Sequence, residues 1–290
     1  MNSFLNFFLI AATFTFCVLP DTATAQVTVT RSGSILQITG STSADSILVR
    51  PVISNSNNGY KVEGIDGTTI NGVGSRTFAS GIEGMVVDLD KGDDRFFLTN
   101  RGDGFTSGIL RFEEDLTIAG GPGHDVIILG LIECDQTIDV RGGKGQDFIS
   151  LGGFFTHPAP FRFQADSVVL RGGPGPDVIR YTDAWTSSIS VSGGLGPDVI
   201  DLLRHRNTDL IDISAGDGRD LVSLARIQDD DLIVNIDGRN GMDRVSFFNV
   251  GVFVVFQFSI EDDGANPSDV ELATMIHSQF GAYLELLDSD

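Results

Sequence analysis

The sequence predicts an all-β chain wound as a parallel β-solenoid, of the β-roll or β-helix kind. It would have about eight coils, an N-terminal cap bearing a hairpin and a short C-terminal capping helix. Three observations lead there. A glycine–aspartate phrase recurs about every 22 residues. Apolar residues stand two apart on both sides of each phrase. With 35 Gly and 41% hydrophobic residues, the chain is too apolar for disorder and too glycine-rich for a helical protein.

The phrase is clearest at Gly172 to Ile179, GGPGPDVI. With its aspartate as position zero, that place is held by Asp94, Asp125, Asp147, Asp177, Asp198, Asp220 and Asp243. Two residues earlier stands glycine in every copy: Gly92, Gly123, Gly145, Gly175, Gly196, Gly218 and Gly241. A glycine kept at one place points to backbone of positive φ, which residues with a Cβ reach only at a cost.

Strands follow from the flanks. Nine before the aspartate stand Met85, Leu116, Ile138, Val168, Ile189, Ile211 and Val234, and two after it stand Phe96, Ile127, Ile149, Ile179, Ile200, Val222 and Val245. The columns at minus seven and plus four are apolar as well. Spacing of two on each side of a glycine turn marks two short strands with one buried face each. A repeat that cannot bury its face alone buries it by stacking. Longer copies carry their additions at Arg101 to Gly108 and Phe154 to Gln164, away from the turn. The second, FFTHPAPFRF from Phe154 to Phe163, reads as an aromatic loop covering a coil edge, with an aromatic binding loop as the alternative.

A degenerate copy around Asp45 keeps Leu36, Ile38, Ile47 and Val49 but has Ser41 and Ser43 where the others have glycine. Tyr60 to Phe78 reads as a hairpin against the open end. After the apolar run Val252 to Phe258, Ser268-Asp269-Val270-Glu271 is a capping box for a helix through Phe280. Such caps hide unpaired strand edges.

Phe4 to Leu19 is an apolar run followed by Pro20 and the small-x-small site Ala23-Thr24-Ala25, the pattern of a cleaved export signal. At 16 residues the run is short for a membrane span, so no stable membrane insertion is expected after cleavage. The product would be secreted, extracellular or at the cell surface, with the periplasm as another destination. The chain carries 40 acids against 19 bases, a net charge of −21; cleavage removes only Asp21 among them. Such acidity argues against nucleic acid and suits divalent cations or cationic partners. Only Cys134 would remain, so no internal disulfide forms, and an inert thiol in a turn is expected.

Stacked copies would align one carboxylate about every 5 Å, where like charges repel by about 0.8 kcal/mol in water. A cation between turns reverses that sign. Glycine turns also expose carbonyl oxygens, and oxygen-only coordination is what Ca²⁺ accepts. The alternative is that each aspartate accepts hydrogen bonds within its own turn.

GGPGHDVII, GGKGQDFIS, GGPGPDVIR and GGLGPDVID, starting at Gly120, Gly142, Gly172 and Gly193, resemble the RTX, or haemolysin-type, calcium-binding nonapeptide GGxGxDxUx. The resemblance covers about residues 85 to 250. It implies Ca²⁺ ligands at Asp125, Asp147, Asp177 and Asp198. It also implies carbonyl ligands from the loops of Gly121 and Gly123, Gly143 and Gly145, Gly173 and Gly175, and Gly194 and Gly196. Asp220, with Gly216 and Gly218, follows Ala215 in place of the first glycine; Asp243 follows Arg239 in place of the second; Asp94 lacks both leading glycines. The period of about 22, a residue other than Asn or Asp before most of the aspartates, and an N-terminal signal all depart from the family pattern.

No HExxH, GxSxG or P-loop is present, and His124, His157, His205 and His277 are scattered. Arg180 falls beside Asp201, with Arg204, His205 and Arg206 following, equipment that resembles that of calcium-dependent polysaccharide lyases. A surface ion pair and a solvated basic loop explain them more simply. The expected function is therefore non-enzymatic: a calcium-binding structural or adhesive module for surface polysaccharide or protein, with a lyase-like enzyme as runner-up. The chain divides into a signal at 1–25, a capping coil and hairpin at 26–84, the calcium-turn solenoid at 85–250 and a C-terminal cap at 251–290.

Overall fold

The computed structural model describes residues 25–52, 59–78, 80–99, 110–130, 132–152, 163–227, 232–239, 241, 243–248, 250 and the backbone of 255–259. The signal run, both insertions up to residue 162 and the capping helix lie outside the described residues. Within them the chain is all β, in one many-stranded sheet with no helix.

Two rows of parallel strands meet at the glycine–aspartate turn. In the row before the turn, Leu36, Met85, Leu116, Ile138, Val168, Ile189, Ile211 and Val234 pair each with the next. In the row after it, Ile47, Phe96, Ile127, Ile149, Ile179, Ile200, Val222 and Val245 do the same. All sixteen are at most 2% exposed. Their alternation with outward residues is the period of two expressed as a core, and each buried aliphatic contributes about 1.5–3 kcal/mol. Val255–Ser259 extends the first row by one more strand against Ile233–Asp237.

A third row was not anticipated. Leu110–Phe112 pairs with the start of Ile132–Lys144, which pairs with the start of Phe163–Pro174, and the row continues through Ala184, Trp185 and Thr186 to His205 and Arg206. Its inward residues include Phe112, Cys134, Ala165 and Thr186, all buried. Cys134 thus sits in a strand beside a register shift rather than in a turn, and burial raises its thiol pKa.

The first copy has both edges covered by antiparallel strands. Gln26–Ser32 forms a hairpin with Ile35–Thr39, and Gly59–Gly64 lies between Ser46–Val52 and Ser75–Phe78, with Tyr60 opposite Phe78. Tyr60 stacks on Phe112 at 5.3 Å and donates its hydroxyl hydrogen to the Arg111 carbonyl at 2.9 Å. Covered edges cannot template further pairing.

Candidate functional site

The seven position-zero aspartates form a continuous ladder with Asp45 at its head. Oδ1 of Asp94, Asp125, Asp147, Asp177, Asp198, Asp220 and Asp243 each accepts the backbone N–H of the aspartate one copy earlier, at 2.6–3.0 Å. The acceptor therefore serves the neighbouring copy and not its own turn. Asp45 has no earlier copy to serve. Its oxygens accept instead from Ser41, Oδ2 from the N–H at 2.6 Å and Oδ1 from the hydroxyl at 3.3 Å. The serines that seemed a decayed turn end the ladder.

The other oxygen is left over. Oδ2 of Asp94, Asp125, Asp147, Asp177, Asp198 and Asp220 is buried without a hydrogen-bond partner, and these six residues are at most 2% exposed. The first glycine of the phrase makes room for it: a Cβ on Gly120, Gly142, Gly172 or Gly193 would stand 2.4–2.5 Å from Oδ2 of its own aspartate. Burial pushes the carboxyls of Asp94, Asp125, Asp177 and Asp198 up to about 7, against the opposing pull of the backbone hydrogen bond. Asp147 and Asp220 are raised for the same reason.

The second and third glycines set the stacking distance. Gly145 and Gly175 both have φ +136°, and a Cβ on either would lie 1.6–1.7 Å from a backbone carbonyl oxygen of the copy before, that of Gly123 or Gly145. Gly218 departs from the expected positive φ, yet a Cβ there would still stand 2.1 Å from the Gly196 oxygen. Close approach, not φ alone, keeps this position glycine.

One place earlier runs a shorter ladder. His124 N–H donates to Asp93 Oδ1 at 2.9 Å, and Gln146 N–H donates to His124 Nδ1 at 2.8 Å. Pro176 and Pro197 end this row because proline has no N–H.

The donor chemistry fits a hard cation such as Ca²⁺ in one respect: the aspartate ladder and glycine carbonyls offer oxygen, with one unpartnered carboxylate oxygen at each of six rungs. Among the described residues no three His, Cys, Asp or Glu side chains converge on one point, so carbonyls would supply most ligands. Compared with known proteins, the chain matches no family model, no curated sequence and no solved structure.

The charges considered for catalysis lie elsewhere. Arg180 pairs with Asp201 at 3.4 Å, and Arg204 pairs with Asp183, at 2.6 Å for Nη2. Both arginines lie on strands, as does His205, which points inward and is fully buried. His205 Nε2 meets the Tyr181 carbonyl at 3.0 Å, its ring packs edge-on to Tyr181 at 4.8 Å, and Nδ1 has no partner. Burial lowers its pKa to about 4. Folding therefore favours the neutral ring, and the resulting stability is present above pH 6.5 and lost as pH falls through about 4. At about 1.4 kcal/mol per unit, up to about 3 kcal/mol is at stake. Urea melts at pH 6.5 and 4.5 should show a smaller difference in His205→Asn than in the parent; equal differences would reject this role.

Proposed function

We propose that the chain is an exported parallel β-solenoid of about eight coils whose glycine–aspartate edge binds Ca²⁺, and that it serves as a non-catalytic structural and adhesive module outside the cell. The observation that carries the calcium reading is the row of six buried Oδ2 atoms without partners. A buried carboxylate oxygen needs a proton or a cation, and leaving it bare costs several kcal/mol. At neutral pH a cation drawing on Asp94 through Asp220 and the neighbouring glycine carbonyls meets that need. When bound, such an ion supplies positive charge between like-charged rungs and holds adjacent turns together. The chain's own part is to keep the rungs in register and to exclude water from them.

The solenoid reading is supported by the uninterrupted parallel pairing of successive copies. Export is supported by the apolar run and the Ala23-Thr24-Ala25 site, and the non-catalytic reading by the mutual pairing of Arg180 with Asp201 and Arg204 with Asp183. The test is calorimetric titration of chelator-treated protein with calcium chloride, with thermal melts in calcium and in chelator. Saturable heat and a melt raised by calcium are expected, each site adding about 2.7 kcal/mol at a hundredfold excess over Kd. No heat and an unchanged melt would remove calcium from the proposal and leave the fold intact.

A further inference from the structure

The outer side of the third strand row holds a cavity of about 260 Å³ that the turn edge does not use. Successive copies contribute Cys134 and Asp135, then Gln164, Ala165 and Asp166, then Trp185, Thr186 and Ser187, and finally Asn207. Because side chains alternate along a strand, buried Cys134, Ala165 and Thr186 leave only backbone at the floor, while exposed Asp135, Asp166, Gln164 and Ser187 and half-buried Trp185 form the walls. The parallel register sets Gln164 directly beside Trp185.

We propose that this cavity binds one uncharged or amino-bearing sugar ring of a glycan. Trp185 would stack on the apolar face of the ring, and Asp135, Asp166, Gln164 and Asn207 would take its hydroxyl groups. The chemistry selects this class. Among the described residues the lining has a single aromatic wall and no aliphatic pocket of the kind an apolar peptide side chain needs. Its remaining groups are two carboxylates, two amides and the Ser187 hydroxyl, a set that accepts from several hydroxyls while the amides donate. No Lys, Arg or His is among the described lining residues, exposed Arg206 stands in register on the other side of Trp185, and the whole chain carries −21. Uronates and sulfated sugars are therefore repelled, and an ammonium on the ring is welcomed. A row of strands about 4.8 Å apart also brings acceptors forward at intervals comparable to the width of a pyranose. The inference rests on the adhesive-module reading and names its partner.

Trp185 is the only tryptophan in the chain, so its fluorescence reports the site directly. Tetrasaccharides from chitin, cellulose and chitosan, with tetragalacturonate as the anionic probe, are titrated into the full chain in calcium and in chelator, with melts alongside. The expected result is a saturable fluorescence change with at least one of the first three and none with tetragalacturonate. Affinity, read by calorimetry because Trp185→Ala removes the fluorophore, should fall at least tenfold in Trp185→Ala and in the doubly substituted Asp135→Asn, Asp166→Asn chain, whose exposed positions leave the melt unchanged. No saturable change with any of the first three, undiminished affinity in the double variant, or equal binding of tetragalacturonate overturns the proposal. A calcium-dependent melt without sugar binding removes the sugar site alone, whereas sugar binding without any calcium effect removes the calcium reading alone.

Discussion

Gly175→Ala is expected to leave the chain unfolded or to lower its stability by more than 4 kcal/mol, the range in which single substitutions report a specific structural fault. The new methyl would stand 1.6 Å from the Gly145 carbonyl oxygen, and its residue would have to hold φ at +136°. Nothing nearby can yield, because the obstacle is backbone already tied to the next copy: the Gly145 N–H donates to the Pro174 carbonyl at 2.9 Å. Relief requires neighbouring copies to separate, which breaks the strand pairing on both sides. Gly33→Ala is the control. Its φ is +64° with nothing within 4 Å of the added carbon, so only the left-handed cost of about 1–2 kcal/mol applies. Gly218→Ala isolates the steric part, since it clashes without a positive φ. Circular dichroism and urea melts rank the three. A Gly175→Ala chain as stable as Gly33→Ala would show that the turns do not stack at this distance.

The second large effect is on pH. In chelator, stability should fall as pH rises from 6 to 8, contrary to the usual gain of a protein rich in carboxylates. The rungs at Asp94, Asp125, Asp177 and Asp198 have folded pKa values raised to about 7. Folding thus favours their protonated form, and the stability this gives is complete below the unfolded value near 3.8 and lost as pH passes through 7. Each rung contributes a slope of up to about 1.4 kcal/mol per pH unit while it is ionised in the unfolded chain and still protonated in the folded one, and the decline levels off once the folded rung has ionised. Calcium should flatten the decline, because a cation takes the place of the proton. Asp177→Asn separates charge from shape: its amide oxygen can still accept from Asp147 N–H, so in chelator at pH 8 it should match or exceed the parent. Asp177→Ala strands that buried N–H and should cost about 1–3 kcal/mol at every pH. A parent chain whose stability in chelator is level or rises between pH 6 and 8 would contradict the buried ladder.

The two strand rows at the turn were legible because each copy repeats branched or leucine-like residues at fixed offsets from its aspartate. The third row was not. Its inward places mix Leu110, Phe112, Ile132 and Phe163 with Cys134, Ala165, Thr186 and His205, so no apolar column persists from copy to copy, and the additions near residues 101 and 154 shift its offset from the aspartate. The cavity beside Trp185 went unread with it. The aspartates could be aligned by eye, but the partner of each carboxylate lies 21–49 residues earlier and is a backbone group that leaves no mark in sequence. In the sequence the first glycine of the phrase stands only as part of the nonapeptide resemblance. Its contact with Oδ2 shows a packing reason, and Ala215 shows that the Asp220 copy accommodates a methyl there.

The serines at the head of the ladder give the stack a direction in time as well as in space. Asp45 is satisfied by Ser41 without reference to anything downstream, whereas each later carboxylate needs an amide from the copy before it. A chain leaving the cell amino end first would thus present its finished foundation before any course laid on it. Each arriving course settles onto an amide already in place, and the latest one waits with a single open donor. Loss of courses from the far end bares one N–H, while loss of the foundation bares a buried carboxylate on both oxygens.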